Sequence, residues 1–173
     1  MKVSVRLGVL CLAMFAVLLL PAAGALACAG ARTDPAAQSR RSYIDAIVCL
    51  IDHRRARSGV TAVVPERRLA RAASRFSAAM THQGFFGHVA PDGSTVADRV
   101  RRAGYRGGTV AETLGWGSGA LARPAAIVAG WMASPPHRAI VLSARFRKLG
   151  VGIATQPQPG GMVATTVTAD FGS

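Results

Sequence analysis

An uncharged apolar run from Leu7 to Leu20, preceded by Lys2 and Arg6, sets the first limit on what this chain folds into. Pro21 ends the run, and Ala25-Leu26-Ala27 places small residues at the two positions a signal peptidase reads. This is the pattern of a secretory signal peptide. The run is short for a bilayer-spanning helix, which takes about 20 apolar residues. We therefore expect cleavage near Ala27, export, and a fold built without residues 1–27. The remainder of the 173 residues fits one domain. A domain of that size buries a core without needing a metal.

Export changes how the cysteines read. Cys11 leaves with the signal peptide, and Cys28 and Cys49 remain as an even pair in an oxidising compartment. A bridge between them would close a loop of about 20 residues and stabilise by roughly 3 kcal/mol. The alternative is a lipoprotein acylated on Cys28. It is disfavoured because Ala25 stands where such a signal usually has Leu, and because a lipid on Cys28 would strand Cys49. Residues 28–40 are small and polar and read as a flexible lead-in, with the domain covering 41–173.

The chain has 21 basic and 8 acidic residues, for a formal net charge of +13. Two of those charges, Lys2 and Arg6, belong to the signal peptide. Clusters lie at His53-Arg54-Arg55-Ala56-Arg57, at Arg67, Arg68, Arg71 and Arg75, and at Arg99-Val100-Arg101-Arg102 with Arg106. Such a field attracts anionic surfaces, including lipid head groups and wall polymers. Nucleic acid is not expected as a partner. The protein is exported, and no aromatic residues interleave the clusters to stack on bases. We read the clusters as a solvated basic surface.

Ile44, Ile47, Val48 and Ile51 recur at helical spacing, predicting a helix over 41–58 that ends at Gly59. Pro65 is expected to open a second helix, with Leu69, Ala73, Phe76 and Met80 buried and Gly84 as its stop. Residues 85–94 read as a turn-rich loop, in which Phe85 and Phe86 would pack onto the core. Thr95 is placed to cap a short helix ending at Gly104. A strand is expected near Thr109–Leu114, then a helix from Pro124 with Ile127, Val128 and Trp131 inward. A short helix follows from His137 to about Leu142. Leu149–Thr155 and Met162–Phe171 are rich in β-branched residues and flank QPQPGG, a hairpin. Helices first and strands last argue for an α+β domain with an antiparallel sheet.

Chemistry concentrates on few residues. His88 lies in the turn-rich loop, Glu112 in the predicted strand and His137 at a helix start. Two imidazoles and a carboxylate suit either a divalent ion or general acid–base work. Their spacing does not choose between these. His53 and His82 read as ordinary surface or capping residues, and Arg138 has Asp170 as a candidate partner.

The order of segments adds more. Cys49-Leu50-Ile51-Asp52-His53-Arg54-Arg55-Ala56-Arg57-Ser58-Gly59 is followed by Leu69, Ala72 and Met80, then by Phe85-Phe86-Gly87-His88. Pro91-Asp92-Gly93-Ser94-Thr95, Arg99 and Ala103-Gly104-Tyr105 come next. Ala111-Glu112-Thr113, Trp131-Met132-Ala133-Ser134-Pro135-Pro136-His137-Arg138, Gly150-Val151-Gly152 and Asp170-Phe171-Gly172 complete the set. In this order the chain resembles the CAP superfamily, the SCP-like extracellular proteins, in its bacterial form, over roughly residues 42–172.

The resemblance implies an α-β-α sandwich, an antiparallel sheet flanked by helices, with a cleft lined by two His and two acidic residues. On this chain they fall on His88, Glu112 and His137, with Ser134 at the remaining acidic position. Thr113 stands where the family usually has Asn, and Pro136 where it has Gly. The expected ligand-lining set is therefore His88, Glu112, Ser134 and His137. His88, His137 and Glu112 are the candidate metal set, for Zn²⁺ or another divalent cation, with no cofactor required. The same three are the candidate catalytic residues. The resemblance implies a secreted binding module for a small amphipathic or lipid-like ligand, expected to be a monomer, more than it implies a reaction. Two other readings stay open: a metal-assisted extracellular hydrolase using His88, Glu112 and His137, and a cationic protein that adheres to an anionic envelope.

Overall fold

The computed structural model describes residues 28–173. The expected signal peptide, 1–27, lies outside the described residues. Within them, Cys28 and Cys49 form a disulfide with their Cα atoms 5.7 Å apart. The sulfur that a lipid would occupy is thus in the bridge.

The lead-in, expected to be flexible, is folded against the domain. Asp34 caps a 3-10 turn at Pro35–Ala37, and Pro35 is buried. The Gln38 amide donates to the carbonyls of Gly30 and Thr33. Ala125 N–H reaches back to the carbonyl of Ala31 at 2.9 Å. Composition alone missed this because the segment carries few apolar side chains; backbone hydrogen bonds and the disulfide hold it instead.

Helix α1, Arg40–Arg57, begins at Ser39, whose hydroxyl accepts from Ser42 N–H. Its apolar stripe buries Tyr43, Ile47 and Ile51. Strand β1 is only Val64–Pro65, and helix α2 runs Arg67–Gln83. Pro65 therefore does not open the helix, contrary to expectation. The N–H groups of Val64 and Glu66 pair with the carbonyls of Arg147 and Leu149, and Pro65 sits between them where no donor is needed. The Glu66 carboxylate then caps α2 by accepting from Arg68 and Leu69 N–H. Gly84 ends α2 in the left-handed region, at φ 67°.

Helix α3, Val96–Arg102, starts with a Thr95–Asp98 capping box. Strand β2 follows at Val110–Ser118, then α4 at Pro124–Ala133 and α5 at Pro135–Val141. The last helix starts at Pro135, two residues earlier than expected. Both prolines occupy its first turn, where their missing N–H groups leave no bond unmade. Pro136 thus fits the backbone before His137 without disturbing it. Strands β3, Lys148–Pro157, and β4, Val163–Gly172, form the C-terminal hairpin.

The sheet order is β1-β3-β4-β2. β4 pairs antiparallel with both β3 and β2, while β1 adds a two-residue parallel step beside β3. Register divides the sheet into two faces. Leu149, Val151, Ile153, Val167, Ala169 and Phe171 point to one side and join Ile47, Ile51, Val128 and Trp131 in the main core. The other side meets α2. There the Ser77 hydroxyl donates to the carbonyl of Gly152 and lies 2.9 Å from Thr168 Oγ1. A Cβ at Gly150 or Gly152 would collide with the α2 backbone at Leu69–Ala70 or Ala73–Ser74. These two glycines let the helix lie directly on the sheet. With α1, α4 and α5 on one face and α2 and α3 on the other, the architecture is the expected α+β, α-β-α sandwich.

Arg55 departs from the solvated surface that its cluster suggested. It is fully buried. Its Nε donates to Thr61 O, one terminal nitrogen to Val141 O and Ser143 O, and the other to Phe146 O, at 2.7–3.1 Å. Burial lowers its pKa, against the raising effect of Asp52. The guanidinium gathers the loop after α1 and the loop before β3 around one point. Arg55→Met should cost about 3 kcal/mol or more, because it strands buried carbonyls. Urea unfolding with an unchanged m-value measures this; a loss under about 1 kcal/mol would contradict the assignment.

Candidate functional site

β2 is an edge strand, and its Glu112 faces the α2 side of the sheet, directly opposite Asp170 on β4. The Glu112 side chain is 1% exposed and the adjoining Arg99 side chain 9%. Arg99 reaches from α3, stacked on the Phe76 ring of α2 with its guanidinium carbon 3.3 Å from the ring centroid. One terminal nitrogen of Arg99 donates to Glu112 Oε2 at 2.6 Å. The other donates to the carbonyls of His88 and Ser94 at 3.0 and 2.8 Å. These bonds clamp the 85–94 loop to the sheet.

On the remaining carboxylate oxygen, Glu112 Oε1 lies 2.8 Å from His88 Nδ1, which donates to it. Nδ1 thereby carries a proton, and the Nε2 edge is left for whatever the site binds. His137 stands on α5 with its ring centroid 6.4 Å from that of His88. Burial, and then the neighbouring His88, lower the His137 pKa. His137 is therefore biased toward the neutral imidazole.

Asp170 was expected only as a partner for Arg138. It is instead fully buried behind Glu112, whose carboxylate is the hydrogen-bonding side chain beside it. Burial and then the Glu112 charge push its carboxyl well above the usual carboxylate range, against the pull of Arg99. The Asp170 carboxyl is thereby biased toward its neutral form. Arg138 points elsewhere, its Nε donating to Met132 O at 2.6 Å. Distance decides the matter: Arg138 is on α5, whereas Asp170 sits under α2 and α3.

Beside this cluster, a cleft of about 800 Å³ straddles the β2 edge between the end of α2 and the α4–α5 pair. His137 and Ser134 lie together in its wall, with Phe85, Trp131 and Ile127. Three large apolar residues stand at its rim: Phe86, Trp116 and Leu121, which are 55%, 59% and 70% exposed. Phe86 does not pack onto the core as expected. Only Phe85 does, 5.9 Å from the Phe76 ring. Trp131 is core, as expected, its indole N–H donating to Leu114 O at 2.7 Å. His82 is exposed, and Thr113 is buried on the opposite side of β2 with its hydroxyl unpartnered.

The structure thus brings His88, Glu112 and His137 into one neighbourhood, with Ser134 beside His137. It does not make Glu112 a free ligand, since both of its oxygens are engaged. Among the described residues, no three His, Cys, Asp or Glu side chains converge as a metal-ligand group. The residues present fit a divalent cation as a two-imidazole pair, His88 and His137, with Glu112 behind His88 fixing its tautomer. Sequence reading missed Arg99 and Asp170 as members. The signal for both lay in pairing: a buried Glu needs a cation, and strand register puts residue 170 beside it.

A family model described as CAP, the cysteine-rich secretory protein family, matches residues 48–171. Among solved structures, an extracellular protein containing an SCP domain from Bacillus anthracis has a TM-score of 0.63 at 21% identity. The match covers 78% of this chain and 44% of that one, so this chain spans under half its length. An outer surface protein from Borrelia burgdorferi gives a TM-score of 0.64 at 15% identity, over 79% of this chain and 96% of that one. A cysteine-rich secretory protein from Staphylococcus aureus gives 0.55 at 15% identity, over 76% and 39%. At these identities the likeness is one of fold. The comparison with curated proteins returns no match.

The Asp170 assignment has a signed consequence. A carboxyl raised in the folded state binds its proton more tightly there, so its stability contribution is complete below the unfolded pKa, about 4. It declines as pH rises from there toward the folded value. Asp170→Asn removes this dependence while keeping a neutral polar group beside Glu112. The stability of Asp170→Asn relative to wild type should therefore rise with pH above about 4. Denaturant unfolding at a series of pH values measures the difference; a pH-independent difference would show that Asp170 ionises normally.

Proposed function

The chain belongs to the CAP, or cysteine-rich secretory protein, family, and from that premise we propose that it is an exported binding module whose cleft takes a lipid-like, amphipathic molecule. The observation that carries this reading is the cleft across the β2 edge: about 800 Å³, lined mainly by apolar side chains, with Ser134, His137, Thr81, Thr166 and Gln156 as polar groups among them. That size lies within the usual range for small-molecule sites. Phe86, Trp116 and Leu121 at its rim are large apolar groups left in water, which a ligand chain would cover. The extracellular and outer-surface descriptions of proteins sharing the fold support export. In a hydrolytic reading Glu112 is not the base, because it is turned inward between His88 and Arg99, and the imidazole in the cleft wall is His137.

Palmitate is the probe. Titrated into the exported protein, it should blue-shift the fluorescence of exposed Trp116. Leu121→Glu and Phe86→Glu, both at exposed positions, should weaken binding by about tenfold or more, the worth of burying one such side chain. No spectral shift, or equal affinity in folded variants, would overturn the reading.

A divalent cation such as Zn²⁺ belongs to the same proposal as an optional occupant. His88 and His137 would hold it and Glu112 would orient His88; when bound, the ion supplies a Lewis-acidic centre for an anionic headgroup. Calorimetry with metal-free protein should show one-to-one Zn²⁺ binding, abolished in His88→Ala and in His137→Ala. Glu112→Gln should weaken it by about 10- to 100-fold without abolishing it, as expected for a residue acting through a ligand. Absence of binding in the folded wild type would remove the metal from the proposal.

A further inference from the structure

A second hollow, of about 300 Å³, lies on the other side of Arg99, between α2, the 90–94 turn and α3. Three guanidiniums line it: Arg75 from α2, and Arg99 and Arg102 from α3. Their partners are unevenly supplied. Arg102 meets Asp92 at 3.5 Å, but both side chains are 62% exposed, and an ion pair in that setting contributes little. Arg75 makes no hydrogen bond or ion pair among the described residues. Arg99 uses its terminal nitrogens on Glu112 and two carbonyls, yet its Nε–H is buried without a partner.

A buried N–H with no acceptor is costly, and a positively charged one more so. Asp92 also lines the hollow, so three guanidiniums face one carboxylate there while Glu112 holds Arg99 from behind, and positive charge is in excess. Ala72, Ala79 and Pro91 supply an apolar part of its lining, beside the polar Gln83 and Ser94. The volume admits a small organic anion.

We propose that this hollow binds a phosphate group carried on a short organic stem. Arg75 and Arg102 reach it from two helices, and the planar guanidinium suits phosphate oxygens. A tetrahedral dianion meets donors arriving from several directions better than a planar carboxylate does. The stem lies against Ala72, Ala79 and Pro91. The site is separate from the cleft at the β2 edge, with which it shares no lining residue.

The test is calorimetry on the exported protein with three probes: inorganic phosphate, sn-glycerol 3-phosphate, and vesicles of phosphatidylcholine with and without phosphatidic acid. Glycerol 3-phosphate should bind one-to-one and more tightly than inorganic phosphate. Arg75→Ala/Arg102→Ala should weaken binding at least tenfold, the worth of one charge-assisted hydrogen bond. Arg67→Ala/Arg145→Ala removes the same charge elsewhere and should bind within about twofold of wild type. Vesicle binding that requires phosphatidic acid and is lost in the first variant would make a lipid headgroup the source of the phosphate. Binding of the soluble phosphates alone would make it a free phosphoester. Equal losses in the two double variants would show a diffuse field and overturn the site. So would failure of all three probes to bind folded wild type. Arg99 stays unaltered throughout, because its loss would also disturb Glu112 and His88.

Discussion

The Glu112 carboxylate holds the functional half of this molecule together. A buried carboxylate survives only if its charge is matched and its lone pairs are filled. Arg99 supplies the charge, the His88 ring fills the other oxygen, and Asp170, whose carboxyl burial pushes toward its neutral form, lies behind. From that one group three consequences spread. The 85–94 loop is pinned through the carbonyls of His88 and Ser94. The His88 ring is turned so that one nitrogen is committed and the other is available. The Arg99 side chain is fixed in place as part of the lining of the arginine-rich hollow.

The sandwich makes that arrangement possible. Residues of β4 alternate strictly: Val167, Ala169 and Phe171 enter the main core, while Thr168 and Asp170 face α2. A carboxyl at 170 is tolerable only on the second face, where polar groups meet polar groups. Gly150 and Gly152 bring α2 so close to the sheet that little water remains beneath it. The exclusion of water is what raises the Asp170 carboxyl. The polar cluster at the β2 edge and the close helix–sheet contact are therefore two results of the same packing.

Much of this was legible in the sequence, and the failures have physical causes. The helix stripes of α1, α2 and α4 were readable because burial imposes a period near 3.6. The hairpin was readable from β-branched runs around a Pro/Gly turn. His88, Glu112, Ser134 and His137 emerged from ordered motifs, and the fold does bring them together. Pro65 misled, because a proline suits both the start of a helix and a gap between ladder hydrogen bonds. Arg55 misled, because neighbouring arginines share a sequence cluster but not an environment. Phe86 misled, because aromatic identity does not say whether a side chain fills a core or stands at a rim. Arg99 and Asp170 were in view as residues but not as partners. Their roles depend on strand register and on a contact between α3 and β2, and no local pattern encodes either.

The claim on which the account rests is that Glu112 is an internal anion that fixes His88, rather than a group facing the cleft. Long-range proton–nitrogen NMR correlation on the histidine rings of the protein reads this directly. The account predicts a proton on Nδ1 of His88, with Nε2 as the nitrogen that responds to ligand, and disturbance of that pattern in Glu112→Gln. A neutral His88 ring carrying its proton on Nε2, with Nδ1 bare, would contradict it.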